Sequence, residues 1–348
     1  MNLKTLNITQ ELLKIIVELD KFNTTWEVKS AHNPEYLTYL RHVATIESIG
    51  SSTRIEGVKL TDEEIEALLG EVGKQSFANR DEQEVVGYAE VMETVFDQFK
   101  NIPITENYTK QLHRDLLRHS EKDQRHSGEY KKHSNSVEAF DETGKSLGIV
   151  FETTSAFDTP GKMQELVYWT RESLEDESYH PLIVVAVFNV VFLAIHPFQD
   201  GNGRLSRILV TLLMLKAGYS YTPYSSLESV IEKNKDSYYL ALQRTQKTLN
   251  SETDWIPWLS FFFRSLKRQK DHLEVKTDVI EKYSSLSEEC AIIMQYLESH
   301  HRINLSKTCE LLKTVTKPTV KNRIKKLADM GLLVRHGKGK ATWYGKKE

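Results

Sequence analysis

Cysteine is nearly absent. Cys290 and Cys309 are the only two in 348 residues, and neither belongs to a CxxC spacing. A scaffold of several disulfides and a cysteine-rich zinc site are both excluded, and two reduced thiols in a cytoplasmic protein are expected. Long apolar runs are also lacking. The most apolar stretch, Leu182 to Ile195, is too short to cross a bilayer and leads straight into His196-Pro197, so it reads as a buried helix and no membrane partner is expected. The opening residues, MNLKTLNITQELLK, hold no apolar core of signal-peptide length. No internal repeat or low-complexity run is present. Neither sign of charge dominates: the net charge is −3, with 27% charged and 39% hydrophobic residues. That balance excludes a disordered chain and fits a soluble globular one.

Two common nucleotide-handling patterns are missing as well. His113-Arg114-Asp115 resembles a kinase catalytic loop, but no Gly-rich loop, VAIK or DFG accompanies it, so the segment reads as helix surface and core. Gly144-Lys145-Ser146 resembles the end of a phosphate-binding loop. The glycine required five residues before Gly144 is Ala139, and no buried strand precedes it.

What is present divides unevenly along the chain. Residues 284–348 carry 13 Lys and Arg against six Asp and Glu, whereas residues 1–283 carry 33 against 43. A basic end on an acidic body predicts separate partners for the two. Length predicts two or three domains. The body reads as all-α. Apolar spacing predicts helices over Ile8–Leu19 and Asp81–Phe99. Thr61 with Glu64 forms a capping box, and Thr105 starts a helix through Leu117. Further helices are expected from about Pro160 and over Leu182–Ile195, Asn202–Ala217, Asp236–Leu249 and Trp255–Leu273. Glu274 to Ser287 reads as a polar connection. One β-hairpin is expected within Ser134–Val150, turning at Asp141-Glu142-Thr143-Gly144.

The most informative string is His196-Pro197-Phe198-Gln199-Asp200-Gly201-Asn202-Gly203-Arg204-Leu205-Ser206-Arg207, between two apolar helices. Pro197 ends the first helix or forces an extended residue before it. Gly201 and Gly203 let the backbone turn tightly and approach a ligand. The free N–H groups of the second helix make an anion site. Arg204 and Arg207 share a helical face and suit a polyphosphate. Asp200 supplies a hard oxygen suited to Mg²⁺. His196 is the one side chain here that titrates near neutrality, which makes it the natural general base.

This string resembles the Fic signature HPFx(D/E)GN(G/K)RxxR at every fixed position, and the resemblance spans about residues 1–275. It implies a protein adenylyltransferase that moves AMP from ATP to a target hydroxyl and releases pyrophosphate. In the implied roles His196 deprotonates the hydroxyl and Asp200 holds Mg²⁺. Gly201, Asn202 and Gly203 form the phosphate loop, Asn202 and Gly203 gripping the α- and β-phosphates. Arg204 stabilises the pyrophosphate part, and Arg207 holds the γ-phosphate. The hairpin within residues 134–152 would be a flap that clamps the target by strand addition. Asn234, Tyr238 and Tyr239 fall where relatives line the adenine pocket. Ser51-Ser52-Thr53-Arg54-Ile55-Glu56-Gly57 is similar to the family's inhibitory motif (S/T)xxxE(G/N). Ser52 and Glu56 would then share a helical face, with Glu56 on Arg207 in place of the γ-phosphate.

The basic end predicts helices over Ser287–Leu297 and Leu305–Leu312 and a third opened by Thr316, with Val320, Ile324 and Leu327 on its apolar stripe. Lys317, Lys321, Arg323, Lys325 and Lys326 are expected around that stripe. Leu332–Arg335 and Ala341–Tyr344 would form a two-stranded wing about Gly337-Lys338-Gly339-Lys340. This resembles a winged helix-turn-helix, a module that docks duplex DNA or protein. The expected organisation is therefore an N-terminal helical region (1–100) with the inhibitory helix, a Fic core (101–275) with a hairpin flap, and a winged helix-turn-helix (284–348). Expected partners are a target protein and, through residues 284–348, double-stranded DNA; an oligomer is compatible with the sequence. Two other functions fit it too: removal of AMP from a target at the same site, and a nucleotide-sensing transcription regulator.

Overall fold

The computed structural model describes residues 3–30, 34–70, 77, 79–133, 135–140, 146–249, 252–283, 286–312, 315–339 and 342–347. The chain forms two compact units, residues 1–270 and 271–348.

In the first unit the helices are α1 (Gln10–Ser30), α2 (Pro34–Ile55), α3 (Asp62–Gly70), α4 (Arg80–Gln98) and α5 (Glu106–Leu116). Strands β1 (Ser136–Phe140) and β2 (Ser146–Glu152) follow. After them come α6 (Thr159–Glu175), α7 (Pro181–Ile195), α8 (Asn202–Lys216), α9 (Leu227–Glu232), α10 (Lys235–Gln246) and α11 (Ile256–Tyr283). The starts of several helices follow from their caps. Thr61 and Glu64 bond each other's backbone N–H groups ahead of α3. Asn79 caps α4 by accepting from the Glu82 N–H, and Thr105 caps α5 by accepting from the Tyr108 N–H.

The centre of this unit is α7 against α8. Twelve of fifteen residues of α7 and thirteen of fifteen of α8 are buried, so neither is an amphipathic surface helix. Trp258 of α11 closes on α7 by donating its indole N–H to the Ala186 carbonyl at 2.7 Å. α2 packs against α9, α4 and α8, which brings an N-terminal helix to the middle of this unit. α11 runs to Tyr283, through most of the stretch that reads in sequence as a polar connection.

β1 and β2 pair antiparallel, with Ser136 opposite Glu152 and Phe140 opposite Ser146. The expected turn at residues 141–144 lies outside the described residues.

The second unit contains α12 (Glu288–Ser299), α13 (Leu305–Leu311), α14 (Lys317–Asp329) and strands β3 (Leu333–His336) and β4 (Trp343–Lys346). Its core gathers Cys290, Ile293 and Leu297 with Val320, Ile324, Leu327 and Leu333. β3 and β4 pair antiparallel, and Ile303 bridges to Tyr344 beside them. Lys317, Lys321, Lys325 and Lys326 are exposed on α14. Arg323, expected with them, is half-buried and paired with Glu289 at 3.2 Å. Residues 340 and 341, at the expected wing turn, lie outside the described residues.

Candidate active site

His196 ends α7 in the left-handed region, φ 51 and ψ 60. Of the two effects expected of Pro197, the end of the helix is what forms, and the extended residue before it is not. The cap is held because the His196 N–H donates to the Phe192 carbonyl at 2.8 Å. The imidazole Nδ1 lies 3.3 Å from the Leu193 carbonyl. That neighbour requires a proton on Nδ1 and leaves the lone pair on Nε2. Burial lowers the His196 pKa to about 4, against the Leu193 bond that favours the charged form, and the Lys131 ammonium lowers it further. At neutral pH the ring is a neutral base.

The loop after His196 is closed by its own side chains. The Asn202 side chain accepts from the Phe198 N–H at 2.9 Å and donates to the Phe198 carbonyl at 2.7 Å. Its amide is thus committed to the loop, and what remains for a ligand is backbone at the start of α8. Gly201 has φ 77 at the N-cap, a conformation glycine adopts without cost. His113, which in sequence reads as ordinary helix, is fully buried beneath this loop. The Gly128 N–H donates to its Nδ1, so its Nε2 donates to the Asp200 carbonyl at 2.9 Å. Its ring stacks on Phe198 at 3.8 Å.

Asp200 and Arg204 belong to a charge cluster that sequence reading missed in part. Arg204 is buried, with Nη1 2.9 Å from Glu84 and Nη2 3.2 Å from Asp200. Arg80 reaches Glu84 at 2.6 Å and Asp200 Oδ2 at 3.2 Å. Burial pushes the Asp200 carboxyl up, but Arg204, the Gly201 N–H and Arg80 together hold it below its ordinary range. Glu84 and Arg80 start α4, far from the motif in sequence, and carry no local signal. Among the described residues no three His, Cys, Asp or Glu gather as a metal cage. One partly open carboxylate fits Mg²⁺, which keeps waters and takes its other oxygens from phosphates.

Arg207 is buried on α8. Its Nη2 donates to Glu56 Oε1 at 2.7 Å and to the Ser52 carbonyl at 2.9 Å, and its Nε donates to Ser52 Oγ at 2.7 Å. Ser52 lies within α2, and Glu56 stands just past the helix end at Ile55, before Gly57 with φ 105. Burial pushes the Glu56 carboxyl up, but the Arg207 charge and hydrogen bond, with Arg204 behind them, hold it ionised below its usual range. A Cβ at Gly203 would collide with Glu56 Oε1. That glycine is what lets the carboxylate lie on the first turn of α8. Glu56 therefore sits at a helix N-terminus and on a guanidinium, the two features that suit an anionic ligand.

The last turn of α2 is tied down by Glu232, Asp62 and Lys235. Arg54 bonds Glu232 at 2.7 Å and Asp62 at 2.8 Å, and the Lys235 Nζ donates to the Ile55 carbonyl at 2.8 Å. Tyr238 is buried next to Arg207, and burial raises its hydroxyl to about 12. Tyr239 is half-buried and packs on Tyr238 edge-on at 5.2 Å. Asn234 bonds the Val230 carbonyl and Arg268, and lines a groove of about 340 Å³ between α10 and α11 with Arg244 and Phe261.

With this geometry in place, comparison with known proteins gives a consistent answer. Residues 103–214 match the Fic/DOC family model. This chain carries a Fic domain. The matched stretch contains α5, the β1–β2 pair and the whole loop from His196 to Arg207. The chain is 29% identical over 141 residues to Protein adenylyltransferase Fic of Drosophila mojavensis, covering 40% of this chain and 26% of that protein. It thus spans about a quarter of that curated relative. Among solved structures, it is similar to a Fic family protein from Desulfovibrio desulfuricans G20. There the TM-score is 0.63 at 22% identity, over 99% of this chain and 98% of that one. A Fic domain containing signaling protein from Bacteroides thetaiotaomicron VPI-5482 matches with TM-score 0.58 at 25% identity, over 75% and 97%. Among the described residues no helix is long and apolar enough to cross a membrane.

Proposed function

We propose that the chain is a protein adenylyltransferase that transfers AMP from ATP to a hydroxyl of a target protein and is held inactive by Glu56. The observation that carries the reading is the loop His196–Arg207, with a neutral base at one end and a buried guanidinium at the other, on a Fic domain. The target hydroxyl oxygen attacks the α-phosphorus of ATP as His196 Nε2 takes its proton. The bond from the α-phosphorus to the bridging oxygen breaks, and pyrophosphate leaves. The α8 N-terminus with Gly201, Asn202 and Gly203 binds phosphate oxygens through backbone N–H groups, and Arg207 receives the γ-phosphate once Glu56 yields it. Arg204, buried against Glu84, adds fixed positive charge on the pyrophosphate side. Asp200 would hold Mg²⁺, which would neutralise phosphate charge. Tyr238 and Tyr239 flank the nucleotide, and the β1–β2 pair offers a strand edge to the target.

Full-length protein carrying Glu56→Gly, incubated with labelled ATP and Mg²⁺ and followed by mass spectrometry of the modified residue, tests the reading. Labelled hydroxyls that vanish in His196→Ala support it. A wild-type chain that strips AMP from a labelled target, while Glu56→Gly does not, would instead assign removal of AMP. Absence of any transfer with ATP still bound would assign a sensor.

For residues 284–348 we propose duplex DNA as the partner, in the manner of a winged helix-turn-helix. The supporting observation is that Val320, Ile324 and Leu327 are turned into the core while four lysines of α14 face out. Electrophoretic shift of a duplex at low salt tests this.

A further inference from the structure

Lys131 is a buried cation with no role in the chemistry above. It is 4% exposed, and among the described residues no carboxylate pairs with it. An uncompensated buried ammonium is costly unless its donors are all met. Here all three are. Nζ donates to Asn135 Oδ1 at 2.8 Å, to Thr153 Oγ1 at 2.8 Å and to the Ile195 carbonyl at 3.0 Å. Burial lowers its pKa to about 8.

The three acceptors come from three places. Asn135 immediately precedes β1, Thr153 immediately follows β2, and Ile195 is the last residue of α7. Ile195 also lies directly before His196, whose backbone is in the left-handed region. The tie is reinforced on both sides. The Lys131 N–H donates to the Pro197 carbonyl at 2.8 Å, and the Thr154 N–H to the Ala194 carbonyl at 3.2 Å. Asn135 Nδ2 donates to the Phe198 carbonyl at 2.9 Å, and Thr153 Oγ1 donates back to Asn135. The open end of the β1–β2 pair, where β1 begins and β2 ends, is therefore fastened to residues 194–198, and one ammonium sits at the joint. A cation at the C-terminus of α7 is also where the helix dipole favours it.

We propose that Lys131 is a positioning residue: it fixes the β1–β2 pair, and any target segment bound along it, relative to the imidazole of His196. This rests on the transfer reading above. Strand addition sets where a target hydroxyl lies only if the strand itself is registered to the base, and a misplacement of about 1 Å can cost roughly 10²-fold in rate. The ammonium has a second effect on the same ring, since its charge opposes protonation of His196. Glu56 and Asp200 face the ring with the opposite sign.

The test compares Lys131→Met and Lys131→Arg in the full chain carrying Glu56→Gly. Amide exchange of residues 131–136, 153–154 and 194–198 is read by mass spectrometry, ATP affinity by titration, and auto-labelling with labelled ATP across pH. The expected result for Lys131→Met is exchange at least about tenfold faster in those segments, ATP affinity within about twofold, and labelling slower by about tenfold or more. The acid limb of its pH profile should move to higher pH, which a purely structural lesion would not do. Lys131→Arg, which keeps charge and donors, should recover protection and most of the rate. Wild-type exchange and unshifted labelling in a folded Lys131→Met would overturn the proposal. If Lys131→Met does not melt cooperatively, Thr153→Val removes one acceptor instead. Faster exchange at both strand ends would then support the tie, and unchanged exchange with unchanged labelling would overturn it. If Glu56→Gly alone labels nothing, the transfer reading fails, whereas the exchange arm still decides whether Lys131 holds the strands.

Discussion

At the scale of single residues, the site combines a base that is easy to read and partners that are not. His196, Asp200, Arg204 and Arg207 are legible because one short string holds them all. Glu84, Arg80, His113 and Lys131 are not, because each acts through a contact across the fold with no local pattern. His113 shows the limit well: its sequence neighbours resemble an unrelated motif, and its partners, the Gly128 N–H, the Asp200 carbonyl and the Phe198 ring, all come from elsewhere in the chain. The helix end before Pro197 was legible, but the left-handed backbone of His196 was hidden, since proline argues only for a helix end or an extended residue. His196→Ala should leave ATP affinity nearly intact and reduce transfer by about 10²–10⁴-fold, measured by labelling and by nucleotide titration. The buried imidazoles also predict a pH dependence of stability. His196 and His113 each have a folded pKa lowered to about 4. Between the ordinary value near 6.5 and about 4 the unfolded chain binds protons that the folded chain does not, so stability falls as pH falls through that window. Urea midpoints at pH 7 and pH 4.5 should show the drop. A constant midpoint would mean these rings are open to solvent.

At the scale of elements, α2 and α8 are joined through Ser52, Glu56 and Arg207. The expectation of an inhibitory helix rests on Ser52 and Glu56, four residues apart, but their reach depends on features outside the motif. α2 is 22 residues long, and its last turn is anchored by Arg54 to Glu232 and Asp62 and by Lys235 to the Ile55 carbonyl. α9 is too short for periodicity to reveal, so this anchoring had no sequence signal. Arg54→Ala should loosen the end of α2 and raise basal labelling, by less than Glu56→Gly does, because Glu56 is still present. Labelling by Arg54→Ala equal to wild type would mean that Glu56 holds its place unaided. Gly203 provides a second test through stability. Alanine in a helix normally stabilises by up to about 1 kcal/mol over glycine, yet here its Cβ would strike Glu56 Oε1. Gly203→Ala should therefore lower the melting temperature of wild type and be neutral or stabilising in Glu56→Gly. Equal effects in both backgrounds would place Glu56 away from α8.

At the scale of the whole molecule, the basic stretch read from sequence, residues 284–348, falls inside the second of two compact units, residues 271–348. The apolar stripe of α14 was readable from Val320, Ile324 and Leu327, while the pairing of Arg323 with Glu289 was not, since it joins two helices. If α14 meets DNA phosphates, replacing Lys321 and Lys325 by alanine should weaken binding across all duplexes and lower the salt slope by about one per lost contact. An unchanged slope would remove those lysines from the interface. For the first unit, the transfer reading puts the Glu56 carboxylate, just past α2, at the place on Arg207 that the γ-phosphate must take. On the transfer reading the γ-phosphate and Glu56 compete for the same Arg207 Nη2 donor, so ATP bound beside Glu56 would have its γ-phosphate displaced and its α-phosphorus out of line. The most direct measurement is the rate of protein labelling from ATP labelled at the α-phosphate, with saturating nucleotide and Mg²⁺, for wild type and Glu56→Gly side by side. The account predicts labelling faster by at least about tenfold in Glu56→Gly, with much of that gain lost when Arg207→Ala is added. Glu56→Gly labelling no faster than wild type would contradict it.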